Sequence, residues 1–173
     1  MLGYDYSRDN LYFVTICVKN MECCFGDISV GTGRDLSVFE SKSKSKKIFL
    51  NEIGEIAKAQ LAWLEKQYSY INLHTFMIMP NHIHCIVEID RDSITDKNIK
   101  IKSLSALMGA YKMTTSKLIH LFGFQDFAWH RSFHDHIIRN ENSYNNIFNY
   151  IKMNPDKWGN DKYNISRKSS TNN

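Results

Sequence analysis

Two histidines separated by one residue are the first pair in this sequence whose types and spacing could do chemistry. His82 and His84 begin an apolar segment that runs to Ile89, and such a segment predicts a strand. Residues two apart in a strand point to the same side of the sheet, so both imidazoles would project together. Two imidazoles on one face can bind a divalent cation if a third ligand comes from elsewhere. Two exposed histidines on a half-wet sheet would give the same pattern, so the metal site is a hypothesis.

A second pair with the same spacing, His134 and His136, lies in a segment whose secondary structure the sequence leaves open. If that segment is helical, the two imidazoles do not face the same way. We therefore favour His82 and His84 as the metal pair. For the second pair we expect polar contacts, such as those made with a phosphate backbone.

A tyrosine and an asparagine, one helical turn apart, form another group that could do chemistry. A helix is predicted from about Ser143 to Asn154, because the residue before Pro155 avoids the helical region. Its apolar stripe consists of Tyr144, Ile147, Phe148 and Ile151. Tyr150 falls at the flank of that stripe, and Asn154 lies on the same flank. A tyrosine held there can attack a phosphodiester, although an ordinary tyrosine at the edge of a packed face would have the same spacing.

The rest of the chain predicts the elements that must position these residues. In chain order they are a strand at Leu11–Asn20, an irregular hairpin over 26–48, a helix from Ile53 to Leu64, strands at Thr75–Met79 and Ile83–Ile89, and a helix capped by Ser103. Strands interleaved with helices, and too few strands for a doubly wound sheet, predict an α+β fold. Its simplest form is a ferredoxin-like antiparallel sheet with helices packed mainly on one face.

Length and composition fit one domain with few special features. The chain has 173 residues, of which 43% are apolar, and we expect a single catalytic domain over 1–160 and a polar tail over 161–173. The net charge of +4 fits a polyanionic partner but does not identify one. No run approaches the roughly 20 apolar residues of a membrane span, and the N-terminus has no secretory pattern. We therefore expect a cytoplasmic protein with no membrane partner.

Three segments taken together resemble the single-tyrosine HUH transposases, and most closely their REP-associated tyrosine transposase branch. These segments are GYDYSRDNLYFVTICVKN, FMIMPNHIHCIVEI and HRSFHDHIIRNENSYNNIFNYIKMNPDKW. The resemblance covers about residues 3 to 158, and its specific parts are MPNHIH and the later YIKMNP, in that order. It implies a ferredoxin-like domain that cuts and rejoins single-stranded DNA at hairpins.

The resemblance also implies a role for each matching residue. His82 and His84 would be the two histidine ligands of Mg²⁺ or Mn²⁺, and Asn154 the polar third ligand. Tyr150 would be the nucleophile, forming a 5′-phosphotyrosine and releasing a 3′-hydroxyl. Mg²⁺ prefers oxygen ligands and Mn²⁺ accepts imidazole more readily, so we expect weak metal binding without DNA.

Several residues are candidates for contacts with the DNA, because cationic side chains bind phosphates. They are Lys112, Lys117, Arg131, His136 and Arg139. Each could equally be an ordinary surface residue.

Two alternatives to an active transposase stay open. One is a domesticated hairpin-binding protein that no longer cuts, and the other is a nicking enzyme related to relaxases or replication initiators. The oligomeric state is also open, because some relatives form homodimers that exchange their tyrosine helices. REP-associated relatives are more often monomers, so a monomer is our expectation.

Overall fold

The computed structural model describes residues 10–30, 45–90, 94 and 99–164. Its strands are β1 (Asn10–Cys17), β2 (Gly26–Val30), β3 (Lys46–Leu50), β4 (Ile71–Ile78), β5 (His82–Ile89) and β6 (His134–Ile138). Its helices are α1 (Glu52–Gln67), α2 (Leu104–Leu121), α3 (Glu141–Lys152) and α4 (Asn154–Lys157). The predicted start of the domain and most of the predicted tail, 1–9 and 165–173, lie outside the described residues. In the described part of the chain, no helix is both long and apolar enough to cross a membrane.

Four of these strands form one antiparallel sheet in the order β4-β5-β1-β6, and β2 pairs with β3 in a separate hairpin. The hairpin lies between β1 and α1 in the chain, and α2 connects β5 to β6. Apart from the hairpin, the order is β-α-β-β-α-β, which is the ferredoxin-like arrangement. The predicted α+β fold class is confirmed.

One face of the sheet is apolar and packs against α1 and α2. Alternate residues of β5, from Ile83 to Ile89, are buried on this face in the main core. Both helices begin at a polar cap. The side-chain oxygen of Asn51 accepts a hydrogen bond from the Gly54 amide at 3.0 Å, and Ser103 caps α2 in the same way.

The opposite face of the sheet is covered by α3. Ile86, Ile138 and Ile151 form a smaller apolar cluster there, between the sheet and the helix. His82 and His84 share the parity of Ile86 along β5, so they project to this face. The predicted packing mainly on one face therefore describes α1 and α2, whereas α3 lies on the other face and reaches the histidines.

The helix that carries Tyr150 ends earlier than predicted. α3 ends at Lys152, Met153 has φ −90° and ψ 2°, and Asn154 begins α4. Pro155 lies in the first turn of α4, where its missing N–H leaves no helical hydrogen bond unmade. Tyr150 and Asn154 therefore do not share one continuous helix, although their side chains reach the same region.

Candidate active site

The two histidines of β5 lie at the end of the sheet with their rings facing each other. In the register with β1, His82 is opposite Cys17 and His84 is opposite Thr15. Both side chains are buried, and their Nε2 atoms are 3.1 Å apart. As predicted for residues two apart in a strand, both imidazoles project to one side of the sheet.

Hydrogen bonds on the far side of each ring fix how the histidines point. Asn81 donates from Nδ2 to the carbonyls of Met21 and Tyr163, at 3.0 and 2.8 Å. Its Oδ1 therefore faces His82 Nδ1, at 2.8 Å, and can only accept from it. This leaves Nε2 of His82 with a bare lone pair. His84 is held similarly by Thr15, whose Oγ1 is 2.8 Å from Nδ1, and such partners orient metal-binding imidazoles in general.

Burial keeps both imidazoles neutral at ordinary pH. It lowers the pKa of His82 to about 3, and the nearby charge of Lys162 contributes to the same shift. The pKa of His84 is also well below its usual range, first because of burial and then because of His82. Neutral imidazole is the form that binds metal ions.

Tyr150 reaches this pair from α3. Its hydroxyl oxygen is 3.4 Å from His84 Nε2, and the two ring centroids are 5.3 Å apart. The ring of Phe13 packs edge-on against Tyr150, with centroids 6.0 Å apart. Burial raises the pKa of Tyr150 above its ordinary value, Asp161 and Tyr163 add to the rise, and a hydrogen bond with Asn154 opposes it. The phenol is therefore protonated at neutral pH.

Asn154 and Asp161 bring oxygen atoms to the same place. Asn154 is fully buried and donates from Nδ2 to Asp161 Oδ2 at 3.1 Å. Its Oδ1 is buried without a hydrogen-bond partner, which costs about 1–3 kcal/mol unless something occupies it. Potential ligand atoms of His82, His84 and Asp161 all lie within 4.8 Å of one another. Two neutral imidazoles, a carboxylate and, on the residue bonded to that carboxylate, an unsatisfied amide oxygen fit a divalent cation.

Asp161 is the site residue that the sequence analysis missed. It follows a short 3-10 turn at Trp158–Asn160, which directs the chain back toward β5. Asp161 and Tyr163 are each only 8% exposed, and the Tyr163 ring is 4.6 Å from that of His82. No spacing rule pointed to Asp161, because its approach depends on a chain reversal after α4.

The second histidine pair lies on a strand and not on a helix. His134 is opposite Thr15 and His136 is opposite Phe13 in the register of β6 with β1, so both share the sheet face of His84. Both are exposed. Among the described residues, one group of three or more histidine, cysteine, aspartate or glutamate side chains is close enough to hold a metal ion. That group is His82, His84 and Asp161.

The residues predicted to contact DNA do not form one surface. Lys112 donates its ammonium hydrogens to two carbonyls of the loop before β6, at 2.6 and 3.0 Å, so it stabilises that loop. Lys117 is exposed on α2, which packs on the sheet face away from the histidine pair. Arg131, His136 and Arg139 are exposed in and around β6.

These observations define a ferredoxin-like α+β domain with two buried histidines beside a tyrosine from a helix. No protein-family model matches the sequence. An uncharacterized protein of Haemophilus influenzae is 28% identical over 172 residues, which cover 92% of this chain and 87% of the relative.

Two solved structures also resemble the domain. The structure of a REP-associated tyrosine transposase bound to a REP hairpin matches with a TM-score of 0.57 and 19% identity, covering 92% of this chain and 75% of that one. A proposed transposase from Deinococcus radiodurans R1 matches with a TM-score of 0.48 and 14% identity, covering 88% and 94%. The chain has the fold of the first of these transposases, which confirms at the level of the fold the resemblance found in its motifs.

Proposed function

We propose that this chain is a REP-associated tyrosine transposase, which cleaves and rejoins single-stranded DNA at hairpins with Tyr150 as the nucleophile. One observation carries the proposal. The Tyr150 hydroxyl lies 3.4 Å from Nε2 of His84, and that nitrogen lies 3.1 Å from Nε2 of His82. This geometry supports the proposal because it puts a potential nucleophile next to two neutral imidazoles, the form that binds a divalent cation.

The residues that would hold Mg²⁺ or Mn²⁺ are His82 and His84 through Nε2, with oxygen from Asp161, Asn154 or both. When bound, the cation supplies charge that polarises the scissile phosphate and lowers the nucleophilicity required of the phenol. Two nitrogen ligands favour Mn²⁺ over Mg²⁺. Thr15 and Asn81 hold the rings so that their Nε2 atoms stay directed to the shared space.

The reaction is a transesterification in which Tyr150 is first the attacking group and later the leaving group. The bond between its phenolic oxygen and phosphorus forms as the bond between phosphorus and the 3′ oxygen breaks. The phenol loses a proton and the departing oxygen gains one, so the products are a 5′-phosphotyrosine and a 3′-hydroxyl. Attack by a 3′-hydroxyl on the phosphotyrosine reverses these changes and joins strands without an external energy source.

Hairpin DNA is the substrate favoured by the similarity in fold, since the related transposase structure holds a REP hairpin. His136 lies on β6, the strand next to β1, and Arg131 and Arg139 lie just outside it. All three are exposed and are candidates for contacts with the hairpin or with its single-stranded extensions. Lys117 is a candidate for a contact remote from the chemistry. Lys112 would act through the loop whose carbonyls it binds.

A single copy of the chain brings Tyr150 to His84, so a monomer suffices for this chemistry. We therefore propose that the tyrosine acts on DNA bound by the same chain.

The test uses the wild-type protein, Mn²⁺ and labelled hairpins with single-stranded extensions, taken from the sequence around its own gene. A denaturing gel should show a protein–DNA adduct that requires Mn²⁺, and His82→Ala or His84→Ala should abolish it. Binding of the hairpins with no adduct, under any divalent cation, would instead indicate a protein that binds and does not cut. An adduct of full yield in either histidine variant would contradict the ligand assignment.

A further inference from the structure

A groove beside β6 takes no part in the proposed cleavage by Tyr150. It has a volume of about 210 Å³ and is lined by Phe13, Thr15, His134, Asp135, His136, Lys162 and Tyr163. His134 and His136 project into it from the edge strand, and Phe13 lies between them and the rest of the sheet. Its volume is below the roughly 300 Å³ at which pockets for whole small ligands begin, so it suits one part of a longer molecule.

The groove adjoins the histidine pair through two of its lining residues. Thr15 lies within hydrogen-bonding distance of His84, and the ring of Tyr163 lies 4.6 Å from that of His82. A molecule that occupied the groove would therefore lie directly beside the histidine pair. The groove is an extension of the candidate active site and not a separate pocket.

A second groove, of about 360 Å³, lies on the other side of Lys162. Its lining includes Tyr150, Asn154, Lys157 and Asp161, together with Lys162 itself. Lys162 thus borders both grooves, and its side chain is exposed with Nζ 4.8 Å from the centre of the Tyr163 ring. Its charge is also near enough to the histidines to lower the pKa of His82.

We infer that a single DNA strand passes along both grooves, with Lys162 on a backbone phosphate and the base next to the cleavage point in the groove beside β6. This inference rests on the proposed function. Phe13, Tyr163 and the two imidazoles offer ring surfaces, and stacking on such rings binds the bases of single strands with little sequence preference. Lys162 supplies the cation that the backbone requires between the grooves.

The test measures binding in EDTA, so that cleavage does not remove the substrate. Two labelled probes are compared by fluorescence anisotropy over a range of salt concentrations. One is a hairpin from the sequence around the gene with single-stranded extensions, and the other is the same hairpin without them. The variants are Lys162→Ala, Lys162→Arg, and His134→Ala combined with His136→Ala. Lys66→Ala, which removes an exposed lysine of α1 on the far side of the sheet, is the matched control.

Lys162→Ala should reduce the slope of log affinity against log salt by about 0.7 for the extended hairpin, the value expected for one phosphate contact on a single strand. Lys162→Arg should retain the slope, and Lys66→Ala should not change it. The double histidine variant should weaken binding of the extended hairpin by about fivefold or more, the lower end of base stacking. Neither Lys162→Ala nor the double histidine variant should alter binding of the hairpin without extensions.

Equal losses for both probes, or no loss for the extended one, would overturn the inference. In that case a wild-type protein that still forms the Mn²⁺-dependent adduct would leave the proposed function intact. A wild-type protein that binds neither probe and forms no adduct would remove the proposed function and this inference together.

Discussion

Two tyrosines of α3 each contact a histidine of the sheet, and the two contacts are alike in distance. The Tyr144 hydroxyl is 3.2 Å from His74 Nδ1, and the Tyr150 hydroxyl is 3.4 Å from His84 Nε2. The ring centroids are 5.6 and 5.3 Å apart. A tyrosine–histidine contact is therefore not enough to identify a site.

What differs is the rest of each histidine's surroundings. His74 is partly exposed, and its other nitrogen lies 2.9 Å from Glu88, so both nitrogens have a protein partner. His84 is buried, its Nε2 faces that of His82, and a ligand nitrogen of His84 lies within 4.8 Å of a carboxylate oxygen of Asp161. The first contact is complete without a ligand, whereas the second belongs to a buried group of potential metal ligands. Asn154, which is bonded to Asp161 of that group, has an amide oxygen without a hydrogen-bond partner. We take that incompleteness as the mark of the functional member of the pair.

The largest contrast is expected between Tyr150→Phe and Tyr144→Phe. Tyr150→Phe should abolish the covalent adduct with a hairpin oligonucleotide while binding persists, because it removes the oxygen of the proposed nucleophile. Tyr144→Phe removes the hydroxyl at the other contact and should retain the adduct. A denaturing gel measures both, and equal yields from the two variants would remove Tyr150 from the mechanism.

Mixing two inactive variants tests whether one chain holds the whole site. Tyr150→Phe and His84→Ala proteins should remain inactive when mixed, because in the proposed mechanism each chain supplies its own tyrosine. The adduct assay on the mixture measures this after prolonged incubation. Recovery of about a quarter of the wild-type yield, the share expected when subunits of the two variants pair at random, would mean that subunits exchange α3.

Replacing Thr15, which orients His84, should have a smaller effect, namely a loss of affinity for Mn²⁺. Thr15→Val should weaken Mn²⁺ binding by about 10–100-fold, the usual effect of removing the outer partner of a histidine ligand. Thr75→Val is the control, because Thr75 is a buried strand threonine on the same sheet whose hydroxyl has no hydrogen-bond partner. Isothermal titration with Mn²⁺ compares the two, and equal affinities would indicate that Thr15 does not orient the ring.

The smallest effect should come from changing the surroundings of His74, both of whose nitrogens have protein partners. Glu88→Gln weakens the partly exposed pair with His74 and should lower the free energy of unfolding by less than about 1 kcal/mol. Adduct yield should not change. Urea denaturation measures the first quantity, and a clear loss of adduct would show that the two contacts are more alike than their surroundings suggest.

The sequence predicted the parts of the site that follow from local periodicity. The alternation of β5 placed His82 and His84 on one face, and the apolar stripe of α3 placed Tyr150 at its flank; the structure brings these two predictions together. The α+β class followed from the order of strands and helices. These features depend on residues close in the chain, where side-chain direction follows from backbone geometry.

Features set by irregular chain were not predictable in the same way. β6 is a five-residue strand on the edge of the sheet, too short for its polar first half to show whether His134 and His136 lie on a strand or a helix. Asp161 reaches the histidines only because the chain turns back after α4. Asn81 orients His82 through hydrogen bonds to Met21 and Tyr163, residues that lie 60 and 82 positions away.

The central claim is that His82 and His84 hold one divalent ion beside Tyr150. Anomalous scattering from crystals grown with Mn²⁺ tests it most directly. We expect a single strong peak within bonding distance of Nε2 of both histidines, with an oxygen of Asp161 or Asn154 also bound and the Tyr150 hydroxyl next to it. A peak at His134 and His136 with none at His82 and His84, or no peak at saturating Mn²⁺ with a hairpin bound, would contradict it.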